Sequence, residues 1–196
     1  KSDEKSASAI AARVQNVLTY GKEHYNGEFT SEETLKNVTL QDVINHYNTY
    51  FVPSNAYLVV IGDVKTADVK KKVEELFGAD VWKKATAPNL TYNDPKDLQY
   101  SQINFVDVPN AVQSEIALIN LSKLKMNDKD YFAAILANQI LGGGGEGRLF
   151  LNLREKHGWT YGSYSNLGAS KYISKFSSTA SVRNAVTDSA VVEIFN

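Results

Sequence analysis

The sequence contains no cysteine, only one methionine, and no long uninterrupted hydrophobic run. Each absence excludes a class of protein. Without cysteine there is no disulfide framework, no thiolate metal site and no cysteine nucleophile, and the redox compartment stays open. Without an apolar run approaching about eighteen residues, no segment reads as a transmembrane helix. There is no excess of one charge either. Lys and Arg number 21, Asp and Glu 22, and the net charge is −1, spread along the chain. A nucleic-acid surface would show a basic stripe, so none is expected.

Catalytic signatures are also scarce. The histidines are His24, His46 and His157. None lies in H-E-x-x-H or H-x-x-E-H, and no two sit at ligand spacing on one helix, so no zinc site is expected in this chain alone. No serine lies in G-x-S-x-G. Gly142, Gly144 and Gly147 formally match G-x-G-x-x-G. That fingerprint needs a strand before it, and here the preceding pattern is helical; no G-K-[ST] follows. The run Gly142, Gly143, Gly144, Gly145 is instead expected to serve close backbone packing or a hinge, since four glycines are costly in backbone entropy.

What is present is ordinary for a globular protein: 196 residues, 43% hydrophobic and 22% charged. Apolar spacing predicts helices over 7–20, 30–38, from Thr39 to Pro53 with Val43, Tyr47 and Phe51 inward, and over 66–77 with Val69, Val73, Leu76 and Phe77 inward. Ala56–Ile61 reads as a buried strand. Residues 85–98 have little periodicity and two prolines, which suggests a linker between a first domain, 1–84, and a second, 99–196. In the second, strands are expected over 100–108, 114–121, 161–167 and 172–180. Asn127 and Asp128 should cap a helix with Phe132, Ile135, Leu136 and Ile140 facing the core. Further helices are expected over 146–156, with Leu149, Phe150 and Leu153 inward, and from Asp188 onward. Elements in runs rather than strict alternation suggest an α+β class, two-layered, with a largely antiparallel sheet covered by helices. The chain starts at Lys1 without Met and stops inside an apolar helical pattern, so both ends are expected to be cuts in something longer.

One stretch stands out: Leu153 to Tyr161, where Arg154 closes a helix and Tyr161 opens a strand seven residues later. Two readings stay open. Arg154 forms a surface pair with a neighbour such as Glu155, worth little, and Tyr161 packs in the sheet. Alternatively, the guanidinium fork holds a peptide carbonyl or carboxylate, and the phenol donates to an oxyanion.

At these residues the sequence resembles the pitrilysin, insulysin and mitochondrial processing peptidase family of inverted zinc metallopeptidases. Ile140-Leu141-Gly142-Gly143, Gly147-Arg148-Leu149-Phe150 and Leu153-Arg154-Glu155-Lys156 through Gly158 to Tyr161 resemble its second-domain motif. Gly21 to Gly27, Glu33-Thr34-Leu35, Tyr50 to Ala56 and Val60 to Val64 resemble the end of its first domain. The resemblance implies two related α+β domains facing each other, zinc and a general base on the first, and a substrate-holding arginine and tyrosine on the second, matched by Arg154 and Tyr161. H-x-x-E-H is missing, and the resemblance places it, with the zinc ligands, upstream of Lys1. The chain is then either the substrate-clamp portion of a zinc endopeptidase, inactive alone, or part of a non-catalytic partner or scaffold subunit. Implied partners are a peptide or unfolded polypeptide and the missing zinc half or a family partner subunit. A homodimer that covers exposed sheet edges is also expected, and a bacterial periplasm or cell-envelope location fits the composition.

Overall fold

The computed structural model describes residues 6–78, 82 and 85–196. The chain divides into two compact units, Lys1–Phe29 with Asn93–Asn196, and Thr30–Tyr92.

The larger unit is built on a three-stranded antiparallel sheet. Its strands are β1 (Gln113–Ser122), β2 (Thr160–Leu167) and β3 (Ser174–Arg183), in the order β1-β3-β2. Ala180 sets the register, opposite Ile116 on one side and Ser163 on the other. Alternate residues of β3 (Ser178, Ala180, Val182) are buried, which is the period-two signature of a sheet with one covered face. Over that face Leu153, Ala180, Val182 and Ala190 form the core, flanked by Ile116, Trp159, Val186 and Ile194. The other face carries Lys175, whose ammonium donates to Asn16 Oδ1 at 2.8 Å. Burial holds that lysine below its ordinary range. Asn16 belongs to α1 (Ala7–Tyr20), which starts at the Ser6 cap and stops at Gly21, where φ is +83°. The observed class is mixed α and β with an antiparallel sheet, as the sequence suggests.

Two expectations in this unit are overturned. Residues 100–108 form no strand; Ile103 and Phe105 are exposed, and among the described residues neither has a ladder partner. Helix α5 (Tyr131–Gly142) begins at Asp130, after a turn closed by Lys125 N–H donating to the Asp128 carboxylate. Its expected core residues Phe132, Leu136 and Ile140 face outward. The inward stripe is Ala134, Ile135, Asn138, Leu141 and Gly142. Small residues win here because α5 lies directly on β2. A Cβ on Gly142 would come within 2.6 Å of the Ser165 amide nitrogen, and Asn138 Nδ2 donates to Ser165 O at 3.3 Å.

The expected helix over 146–156 is two pieces. A single α turn, α6 (Arg148–Phe150), runs into a π-helix, Leu151–Lys156. Leu149, Phe150 and Leu153 are buried, as their spacing suggests. The chain ends in α7 (Thr187–Phe195), which packs on β3 and the π-helix.

The smaller unit holds α2 (Glu32–Asn37), α3 (Leu40–Tyr50) and α4 (Thr66–Phe77). Ser31 and Thr39 each open a helix with a capping box, closed by Thr34 and Asp42 respectively. The expected buried strand over 56–61 is not formed. Tyr57 is 96% and Ile61 92% exposed, and no ladder partner lies beside the segment among the described residues. Nor is the apolar face of α3 covered: Val43, Tyr47 and Phe51 are all exposed. On α4, Val69 and Val73 are half-buried while Leu76 and Phe77 are exposed.

Candidate functional site

The site is assembled from the π-helix and the start of β2. The π-helix is announced by the His157 amide, which donates five residues back to Asn152 O at 3.1 Å. Gly158 then donates to Arg154 O at 2.9 Å and takes φ +62°, a left-handed conformation open to glycine, which lets the chain turn out of the helix into β2. Trp159 N–H closes the turn on Leu153 O at 3.0 Å. Such i→i+5 turns are rare and frequent at functional sites.

Arg154 leaves this segment half-exposed. Its guanidinium carbon lies 4.7 Å from the centre of the Phe150 ring, and its Nε is 3.6 Å from Glu155 Oε1. Phe150 in turn packs against Tyr164, with ring centroids 5.7 Å apart. The neighbour pair with Glu155 is the contact the plainer reading of Arg154 anticipates. Both partners are exposed, so the pair is worth little, and the guanidinium keeps donors for another group.

Tyr161 does not pack in the sheet. It is 89% exposed. It lies where the β2 register shifts between Thr160 and Ser163, a bulge that sets one extra residue against β3. Thr160 Oγ1 braces the bulge by donating to Gly162 O and accepting from Gly162 N. Tyr161 is thus turned away from the sheet on β2, one of the two edges of the order β1-β3-β2 among the described residues. No hydrogen bond joins Arg154 and Tyr161 among the described residues; each is an exposed group, Arg154 on the π-helix and Tyr161 at the start of β2.

Of the glycine run, Gly142 lies against β2, and a Cβ on Gly143 would meet Gln139 at 2.3 Å. A Cβ on Gly144 would approach Gln139 Nε2 to 3.3 Å, and one on Gly145 would meet nothing nearer than 3.8 Å.

Sequence reasoning misses a polar cluster between the π-helix and α7. Asn152 Nδ2 donates to Glu193 Oε2 at 2.6 Å, and His157 Nε2 lies 3.7 Å from the same oxygen. The His157 ring stacks on Trp159 at 4.1 Å. The Asn152 hydrogen bond, then the Lys156 and His157 charges, hold the Glu193 carboxyl below its ordinary range.

The donors of the described residues do not fit zinc. His24 is buried, stacked on Tyr20 and accepting from Asn26 N–H through Nδ1. His46 lies against Tyr50, and His157 meets one carboxylate. Among the described residues no three His, Asp or Glu side chains converge as a metal site. Among the described residues no helix is long and apolar enough to cross a membrane.

Known proteins agree with this architecture. The backbone superposes on the peptidase M16 inactive domain from Pseudomonas fluorescens with a TM-score of 0.82, at 22% identity, over 98% of this chain and 46% of that one. A protease from Helicobacter pylori gives 0.72 at 18% identity, over 98% and 51%. The periplasmic protease PqqL from Escherichia coli gives 0.61 at 17%, over 93% and 20%. In sequence, the chain is 22% identical over 161 residues to a probable inactive metalloprotease, YmfF, of Bacillus subtilis (strain 168), covering 82% of this chain and 36% of that protein. The chain therefore spans about half or less of these relatives. The model of the peptidase M16 inactive domain matches residues 37–196, and the chain belongs to that family.

Proposed function

We propose that this chain is the substrate-holding portion of a non-catalytic M16-type protein, which binds extended peptides or unfolded polypeptide without hydrolysing them. The observation that carries the reading is the exposed Tyr161 phenol, set by a bulge on an edge strand that follows the π-helix carrying the half-exposed Arg154. An edge strand offers unpaired N–H and C=O groups to an added strand. Arg154 supplies a fork of donors for a carbonyl or terminal carboxylate, and Tyr161 one O–H. Similarity to an inactive metalloprotease supports binding without cleavage.

The test is fluorescence anisotropy with labelled casein, an unfolded polypeptide. Arg154→Ala should weaken binding by roughly tenfold to a hundredfold, the scale of losing a charged hydrogen bond. Tyr161→Phe should cost about tenfold or less. Equal affinity of both variants and the parent chain would sink the reading.

A second reading rests on the relatives described as proteases. In it the same two residues serve a zinc endopeptidase whose metal ligands lie in another polypeptide segment or a partner subunit. The division 1–84, 85–98 and 99–196 then marks the end of one domain, a linker and the start of the next, and a cell-envelope location goes with it. Mixing the chain with a zinc-bearing family member decides between them. Hydrolysis that appears on mixing and drops with Tyr161→Phe favours the enzyme reading.

A further inference from the structure

Asn152 and His157 are five residues apart. On an α-helix that separation turns their side chains about 140° away from each other, so one small group cannot touch both. In an i→i+5 turn they lie nearly one above the other. Here a single oxygen, Glu193 Oε2, accepts from Asn152 Nδ2 at 2.6 Å and lies 3.7 Å from His157 Nε2. The bond that defines the π turn, His157 N–H to Asn152 O at 3.1 Å, joins these same two residues. Arg154 lies between them.

We propose that Glu193 is a positioning residue: one carboxylate oxygen on α7 pins both ends of the π turn and so fixes the direction in which Arg154 leaves the helix. This rests on the reading of Arg154 as a substrate contact. A π turn is a rare backbone state and persists where its surroundings over-determine it. Two constraints do so here. Leu153 is fully buried in the cluster that also holds Ala190 of α7, with Ile194 packed on that cluster, which fixes the depth of the segment. Glu193, next to Ile194 in sequence, fixes its rotation. Asn152 Nδ2 is hydrogen-bonded to the Glu193 carboxylate, while His157 Nε2 lies 3.7 Å from it, beyond hydrogen-bond distance, under the stacked Trp159 ring. If the segment relaxed to α geometry, one of the two would turn away from Glu193. The Arg154 side chain would rotate with it, off the Phe150 ring where it now lies.

Amide hydrogen exchange on the full chain, read by NMR, tests this alongside the casein binding assay. Glu193→Ala should lower protection at the His157 amide by about tenfold, the scale of one hydrogen bond, and leave Ala180 and Val182 on β3 unchanged. It should also weaken casein binding. Glu193→Gln, which keeps an acceptor for Asn152, should restore much of both. Asn152→Ala should repeat the Glu193→Ala pattern. Unchanged protection at His157 in Glu193→Ala overturns the proposal, and so does an equal loss of protection across β3, which would make Glu193 a general stability contact. If His157 loosens while binding holds, Arg154→Ala separates the causes. Weaker binding in Arg154→Ala overturns the positioning role. Unchanged binding there shows that Glu193 pins the turn but that Arg154 does not hold substrate, which overturns the positioning role and leaves the substrate-holding reading to the Tyr161→Phe result.

Discussion

The Ala56–Ile61 segment and strand β3 carry comparable strand signals, yet only β3 is a strand. The first is the more apolar of the two: Ala56-Tyr57-Leu58-Val59-Val60-Ile61 against Ser174-Lys175-Phe176-Ser177-Ser178-Thr179-Ala180-Ser181-Val182-Arg183. β3 has a ladder on both edges and a covered face, with Val182 fully buried. Among the described residues, 56–61 have neither, and Ile61 is 92% exposed. A strand is stabilised by its neighbours rather than by its own composition. Helices differ, because their hydrogen bonds close locally. The smaller unit accordingly keeps α2, α3 and α4, with two capping boxes, while most of its large apolar residues stay exposed.

Core truncation gives the largest expected break in this comparison. Leu153→Ala removes a fully buried side chain from the cluster over β3. It should cost about 2–5 kcal/mol, as buried leucines do. Leu58→Ala, at a position 60% exposed, should stay within about 0.5 kcal/mol. Urea denaturation followed by circular dichroism reads both. Equal costs would mean that residues 56–61 are packed in solution and the contrast is false. Next is Gly142→Ala. Its Cβ would meet Ser165 N at 2.6 Å, a backbone atom that cannot step aside cheaply. The expected loss is about 1–3 kcal/mol, as for an overpacked contact. A neutral or stabilising Gly142→Ala would show that α5 is not held against β2 by close backbone approach.

The same contrast explains what could be read from sequence. Helix starts at Thr39 and stops at Gly21 are written in single residues whose chemistry acts within one turn, and both are found. The inward side of α5 is not legible, because Phe132, Leu136 and Ile140 outweigh Ala134 and Gly142 in apolar area. What turns the helix is the need for small residues against β2, a tertiary fact. Arg154 and Tyr161 are legible as a motif by resemblance. Their setting is not, since both the π-helix and the β2 bulge depart from the periods by which helices and strands are recognised. Glu193 is hidden for that reason: it meets Asn152 and His157 across a turn that α periodicity does not contain.

The smallest effect sharpens the helical side of the comparison, and it is a pH effect. The Asp42 carboxylate accepts from Thr39 Oγ1 at 2.6 Å and from Thr39 N at 2.8 Å. These bonds, the hydroxyl's first, hold its pKa below the ordinary 3.8. A carboxyl depressed in the folded state adds stability that is present above its unfolded value and lost as pH falls through the folded one. The start of α3 should therefore be unchanged between about pH 7 and 5, where Asp42 is ionised in both states, and fray only below the ordinary carboxyl range. The Thr39 amide shift and the Asp42 carboxyl carbon shift, followed by NMR, should titrate together, and Asp42→Asn should flatten the Thr39 curve. A carboxyl midpoint at or above 3.8 would mean that the capping box is open in solution. The helices of the smaller unit would then lean on neighbours as strands do, and local closure would no longer separate the two regions.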